Sequence, residues 1–195
     1  SEKLNKYMDR RGKGNFSRGG INFWNTMQDM NTSLVEKINR HRKVITIFLN
    51  VPFDTSQTLA SKLFNDTFDW VDFLSIYIKQ NNDCLFIFRS HPDEIRADKK
   101  TNYPLSKYLK EIELNTLSNV VIIPAHEPTD SYALIKKSDL VLTYNSTITI
   151  ESLYLGTNAI NAGYAHFSRI DYFKIAKSKE EYLNKIENFL ENKTI

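Results

Sequence analysis

Cysteine is nearly missing from this chain: Cys84 is the only one among 195 residues. A lone thiol closes no internal disulfide, which sets aside disulfide-stapled secreted scaffolds and favours a reducing compartment. Glycine is scarce too, six in all, and four of these fall in one stretch, RRGKGNFSRGG at 10–20. Neither a G-x-G-x-x-G fingerprint nor a G-x-x-x-x-G-K-[ST] loop occurs, so dinucleotide and P-loop chemistry lack their usual phosphate cradle. No His/Cys group has metal-ligand spacing, so no metal site is expected. The absence of a G-x-S-x-G elbow speaks against a hydrolase. No apolar run nears the ~20 residues of a membrane span, and no secretory signal opens the chain. The expected location is the cytoplasm, including the inner face of the membrane for a peripheral chain. The first residue is Ser rather than Met, as in a trimmed chain or a piece of a longer one.

What is present suits a folded domain. A hydrophobic fraction of 41% with 12% aromatics is enough to fill a core, and 195 residues make one domain or one domain with an appendage. The net charge of +3 is unevenly spread. Residues 1–42 hold nine Lys/Arg against four Asp/Glu, whereas 43–195 hold seventeen against nineteen. The basic character belongs to the N-terminal arm, so the body offers no nucleic-acid surface and no nucleic-acid partner is expected.

The pattern divides at Lys43. Residues 1–42 read as a basic, glycine-rich arm followed by a helix over 22–41, with Phe23, Trp24, Met27, Met30, Leu34 and Ile38 spaced by three and four. From 43 to 195, short apolar runs alternate with amphipathic stretches. VITIFLN (44–50), CLFIFR (84–89), VVIIP (120–124), LVLTY (140–144) and NAINAG (158–163) are strands of the kind buried on both faces. FDWVDFLSIYIKQ (68–80), PLSKYLKEIEL (104–114), TDSYALIKKS (129–138), STITIESLYLG (146–156) and SKEEYLNKIENFL (178–190) are helices. Ser178 with Glu181 three residues on is a capping box. Strand–helix alternation implies an α/β domain, a Rossmann-like doubly wound parallel sheet of about five strands.

Ligands of such sheets bind outside the carboxyl ends of the strands. Those positions hold Asn50 and Asp54 after the first strand, and Arg89, Ser90 and His91 after the second. His126 and Glu127 follow the third, Asn145, Ser146 and Thr147 the fourth, and Gly163 the fifth. Strand four runs through Asn145-Ser146-Thr147 directly into a helix, where free N–H groups, the helix dipole and two hydroxyls suit a phosphate. Glu151, four residues past Thr147, suits a sugar or ribose hydroxyl. The same residues also read as a plain helix cap beside a solvated glutamate. His91 suits a hydrogen bond to phosphate, or a general acid near neutral pH, and equally a loop histidine at a strand end. His126 and Glu127 carry a weaker form of the same choice.

In combination these motifs resemble the C-terminal half of bacterial capsule polysaccharide biosynthesis glycosyltransferases, relatives of the Kdo and sialic acid transferases that use CMP-sugars. The resemblance runs from about Val44 to Tyr182 through LNVPFD, FDWVDFLSIYI, FRSHPDE and NVVIIPAHEPTDSYALIKKSDLVLTYNSTITIESLYLGTNAINAG. It implies one half of a GT-B fold, in which two Rossmann-like domains flank the active site. By that resemblance His91 contacts the donor phosphate, Ser146 and Thr147 bind phosphate at the helix start, and Glu151 takes a ribose or sugar hydroxyl. It further implies a nucleotide-sugar as substrate rather than a cofactor, an oligosaccharide or lipid-linked acceptor, and a second GT-B domain or another chain to complete the enzyme. About 40 residues precede the first strand, too few for that second domain. The catalytic base is accordingly left unassigned. A non-catalytic nucleotide-binding or docking module, and a sugar-nucleotide epimerase sharing the GT-B layout, are the alternatives.

Overall fold

In the computed structural model, residues 2–12, 28–52, 60–95 and 101–191 are described. The expected helix residues Phe23, Trp24 and Met27, and the candidate Asp54, lie outside them.

The five apolar runs form β1 (Lys43–Phe48), β2 (Cys84–Arg89), β3 (Val120–Ile123), β4 (Leu140–Thr143) and β5 (Asn158–Asn161). All neighbouring pairs are parallel, in the order β3-β2-β1-β4-β5. Helices α2 (Thr32–Arg40), α3 (Thr67–Gln80), α4 (Leu105–Glu111), α5 (Ser131–Lys137), α6 (Ile148–Tyr154) and α7 (Lys179–Glu191) cover the two faces. The fold is the doubly wound, Rossmann-like α/β arrangement that the sequence pattern implies.

Burial on both faces explains why the strands read as continuous rather than alternating apolar runs. One face packs Ile45, Ile47, Phe86, Phe88 and Leu142 against Trp70, Leu74 and Ile78 of α3 and Tyr182 and Ile186 of α7. The indole N–H of Trp70 donates to the Tyr182 hydroxyl at 3.0 Å, so the two largest buried polar-tipped rings satisfy each other. On the opposite face Val44, Leu85, Ile87 and Ile123 pack with Leu34 and Ile38 of α2 and Leu134 of α5. Phe48, Val141 and Ala159 pack with Ile135 and Ile148.

The arm differs from its sequence reading. Within the described part of the helix expected over 22–41, residues 28–31 are not helical and the helix starts at Thr32, with Asn31 capping it through Leu34 N–H. Gln28 instead pairs beside Thr129, its N–H donating to Pro128 O and its carbonyl accepting from Asp130 N–H. Residues expected to be only a polar arm form α1 (Glu2–Gly12), with Met8 buried.

Candidate functional site

The order β3-β2-β1-β4-β5 places the topological switch point between β1 and β4, where the chain leaves neighbouring strands in opposite directions and opens a crevice. Register then fixes what meets there. Phe48 pairs with both Arg89 and Thr143, and Thr143 pairs with Asn161. Two residues beyond that rung on each chain stand Asn50, His91, Asn145 and Gly163. Parallel pairing thus brings residues from four separate strand ends to one edge of the sheet.

Asn50 Nδ2 donates to Asn145 Oδ1 at 2.9 Å, a bond directly across the switch point. Asn50 is 9% exposed, yet among the described residues its Oδ1 has no hydrogen-bond partner. The hydroxyl of Ser90, fully buried at the end of β2, likewise has none. Buried polar atoms are paired in the great majority of cases, so two orphans at the ligand-binding edge of one sheet are a mark of a site.

His91 is held by the turn it begins. Asp93 N–H donates to His91 Nδ1 at 3.1 Å, so the neutral ring carries its proton on Nε2 and presents a donor there. The Asp93 carboxylate lies 4.0 Å from the same Nδ1, and the imidazole is 41% exposed. Pro92–Ile95 form a single 3₁₀ turn that buries Glu94. Glu94 accepts from Leu105 N–H at 3.2 Å and from the Ser106 hydroxyl at 3.3 Å, capping α4 from a distance of eleven residues. Burial pushes the Glu94 carboxyl up to about 7, against the lowering effect of those two bonds.

Glu151 is not the solvated residue of the plain reading: it is 1% exposed. Its carboxylate accepts from the hydroxyls of Tyr132 at 2.9 Å, Tyr7 at 3.3 Å and Thr147 at 3.3 Å. The Tyr7 bond brings α1 across α6, supported by Tyr154 donating to Asn5 Oδ1 at 2.7 Å. Ser146 Oγ accepts from Ile148 N–H at 3.3 Å, the local cap that its position allowed. With only seven residues α6 has a small dipole, so the helix start adds less to anion binding than the sequence suggested.

The remaining candidates have mainly structural surroundings. Arg89 is 2% exposed and donates to Pro124 O and Glu127 O, both at 2.8 Å, clamping the β3–α5 connection. Burial lowers its pKa to about 10, with Glu127 opposing the shift, so it stays cationic at neutral pH. Glu127 Oε1 accepts from the Thr129 hydroxyl at 2.8 Å. His126 is exposed on that connection. At Gly163 a Cβ would meet Ala60 O at 3.0 Å and Tyr144 O at 3.1 Å, and Gly163 N–H bonds Tyr144 O at 2.6 Å. A side chain is excluded there because two main chains approach so closely.

Sequence reasoning missed the tyrosines on Glu151 and the capping role of Glu94. Tyr7 and Tyr132 lie 144 and 19 residues from Glu151, and no local pattern reports such pairings. Glu94 had a signal, an acidic residue just inside a turn and eleven before a proline-led helix.

Clefts of about 410 and 430 Å³ lie elsewhere, beside β5 and α7 and at the amino ends of β1 and β2. The second is on the wrong end of a parallel sheet for ligand binding. In the first, Lys174 and Lys185 already pair with Asp171 at 3.0 Å and Glu181 at 3.6 Å. Among the described residues no cluster of three or more His, Cys, Asp or Glu is placed to hold a metal, and no helix is long and apolar enough to cross a membrane.

Parallel strand order with polar residues gathered at the β1/β4 switch point defines a Rossmann-like unit. Its solved likenesses are of that type. KpsC of Thermosulfurimonas dismutans, a beta Kdo 2,4 transferase, superposes with a TM-score of 0.60 over 92% of this chain at 17% identity. A protein of Listeria monocytogenes assigned as a UDP-N-acetylglucosamine 2-epimerase superposes with a TM-score of 0.55 over 85% of the chain at 13% identity. The chain spans 49% of the first and 40% of the second. No family model and no curated protein matches the sequence.

Proposed function

We propose that this chain is the donor-binding unit of a glycosyltransferase, one that takes a nucleotide-activated sugar, with a CMP-sugar as the leading candidate, for surface polysaccharide synthesis. The observation that carries the reading is the bond from Asn50 to Asn145 across the switch point, with His91 following the neighbouring strand end and the acceptor of Asn50 and the hydroxyl of Ser90 unpartnered among the described residues. The likeness of fold to a Kdo transferase supports it, as do the His-Pro and Ser-Thr dipeptides that follow β2 and β4 in this sequence.

In this reading His91 Nε2–H donates to a donor phosphate, while Ser146 and Thr147 flank the same anion. Transfer breaks the bond between the glycosyl carbon and the phosphate oxygen and forms one to an acceptor hydroxyl. The phosphate leaves with the electron pair, and donors aimed at it lower the barrier by stabilising that charge. The acceptor's proton goes to a base supplied by an acceptor-binding domain or partner chain.

A thermal-shift screen with CMP, UDP, GDP and dTDP tests the reading: one nucleotide is expected to raise the melting temperature, and indifference to all four contradicts it. The epimerase likeness favours a second reading, in which the unit serves a sugar-nucleotide epimerase. Turnover of a labelled UDP-sugar without acceptor distinguishes it from a transferase.

A further inference from the structure

We infer that Asn50, rather than Glu151, is the acceptor for a ribose hydroxyl of the bound nucleotide, so that Asn50 sets the preference for ribonucleotide over deoxyribonucleotide. The inference deepens the donor-binding reading and rests on it.

The first argument is one of unmet valence. Asn50 Nδ2 donates to Asn145 Oδ1 at 2.9 Å, which fixes the amide, while its Oδ1 is left without a partner among the described residues in a residue 9% exposed. A buried carbonyl oxygen without a donor is unfavourable, and a group that supplies one is favoured there. An ionised phosphate has only acceptors to offer. The group that completes Asn50 therefore carries an O–H or N–H.

The second argument is one of distance. Asn50 and His91 each stand two residues past the last paired rung, Phe48 with Arg89, of adjacent strands that run about 4.8 Å apart. With a phosphate on His91 Nε2, the part of a nucleotide one strand away is the sugar bonded to that phosphate, because the base lies a full sugar ring further on. The ligand's donor at Asn50 is then a hydroxyl.

The third argument concerns the competitor. Glu151 is 1% exposed and already accepts from the hydroxyls of Tyr132, Tyr7 and Thr147. Those protein hydroxyls take the place that a sugar hydroxyl would need. Among the described residues the Asn50 carbonyl oxygen has no such donor.

Calorimetric titration of CMP, 2′-deoxy-CMP and 3′-deoxy-CMP, with the uridine set in parallel, tests this on the wild-type chain and on Asn50→Ala, Asn145→Ala and His91→Ala. The wild type is expected to bind a ribonucleotide about tenfold more tightly than one of its deoxy analogues. Asn50→Ala should erase that ratio by weakening the ribonucleotide alone, and Asn145→Ala should reduce it by freeing the Asn50 amide to turn. His91→Ala should weaken all the nucleotides alike and keep the ratio. An undiminished ratio in Asn50→Ala overturns the inference and leaves the donor-binding reading standing. Should that variant fail to fold, equal wild-type affinity for ribo- and deoxynucleotides, or an unchanged ratio in Asn145→Ala, overturns it equally. A wild type that binds none of the nucleotides overturns both readings.

Discussion

The hydroxyl of Tyr7 donates to Glu151 Oε1 at 3.3 Å across 144 residues of sequence, tying the first helix of the chain to the helix that follows the switch-point strand. Tyr132 donates to the other carboxylate oxygen at 2.9 Å, and Thr147 to the first at 3.3 Å. A buried carboxylate is tolerated when donors surround it, and here three hydroxyls do so.

Removing those donors singly should therefore be mild and removing the carboxylate should not. Tyr7→Phe and Tyr132→Phe are each expected to cost about 1 kcal/mol, with a non-additive double variant because both act on one group. Glu151→Ala strands three hydroxyls and should cost more than either. Urea denaturation measures all four, and a neutral Tyr132→Phe would show that the 2.9 Å bond contributes nothing net.

Glu94 gives a pH signature. Its carboxyl is raised from 4.5 to about 7 in the folded chain, so between these values the folded state holds the proton that the unfolded state releases. The sign follows: this group favours folding least above pH 7 and its penalty is relieved as pH falls towards 4.5. At 1.36 kcal/mol per unit the penalty at pH 8 is at most about 3 kcal/mol. Glu94→Gln keeps an acceptor for Leu105 N–H and removes the titration. It should raise the melting temperature at pH 8 and flatten the stability profile between pH 5 and 8 relative to wild type. Parallel profiles would show that Glu94 does not titrate there.

Arg89 has a main-chain role that its position at the end of a strand concealed. Arg89→Met should cost about 2–4 kcal/mol, because Pro124 O and Glu127 O lose a charged donor each and the β3–α5 connection is released. Lysine should not restore it, since one ammonium does not reproduce a fork reaching two carbonyls. Chemical denaturation of the two variants checks this, and a fully stable lysine variant would contradict it.

Gly163→Ala should destabilise by about 1–3 kcal/mol, as overpacking against two carbonyl oxygens 3.0 and 3.1 Å away leaves no room for the new methyl. Gly156, at φ +85° with nothing within 4 Å of a Cβ, should instead suffer only the backbone strain of the left-handed region. Thermal denaturation of the pair separates crowding from conformation.

The sheet was legible in the sequence because each strand is buried on both faces and so declares itself as an unbroken apolar run. All five strands and the five helices after Lys43 stand close to their expected places. The candidate site was legible only as a set of strand ends, since a parallel sheet brings its carboxyl ends to one edge whatever the order of strands. Its interior was not. That Asn50 meets Asn145 depends on strand order and register, and the saturation of Glu151 depends on Tyr7 arriving from 144 residues away. Helix α1 was hidden because its stretch, EKLNKYMDRRG, is polar on most positions and leads into glycines, and among its described side chains Met8 and Tyr7 mark its inward face. The expected helix was carried through residues 28–31 because apolar spacing continues upstream of Asn31, whose side chain caps the helix that starts at Thr32.

The central claim is that a nucleotide phosphate binds at the carboxyl edge of the sheet through His91. Calorimetric titration of CMP into the wild-type chain and into His91→Ala tests it most directly. The expected result is a loss of at least about tenfold in affinity, with an unchanged melting temperature for the unliganded variant. Equal affinity of the two proteins would contradict the assignment of His91 to the phosphate.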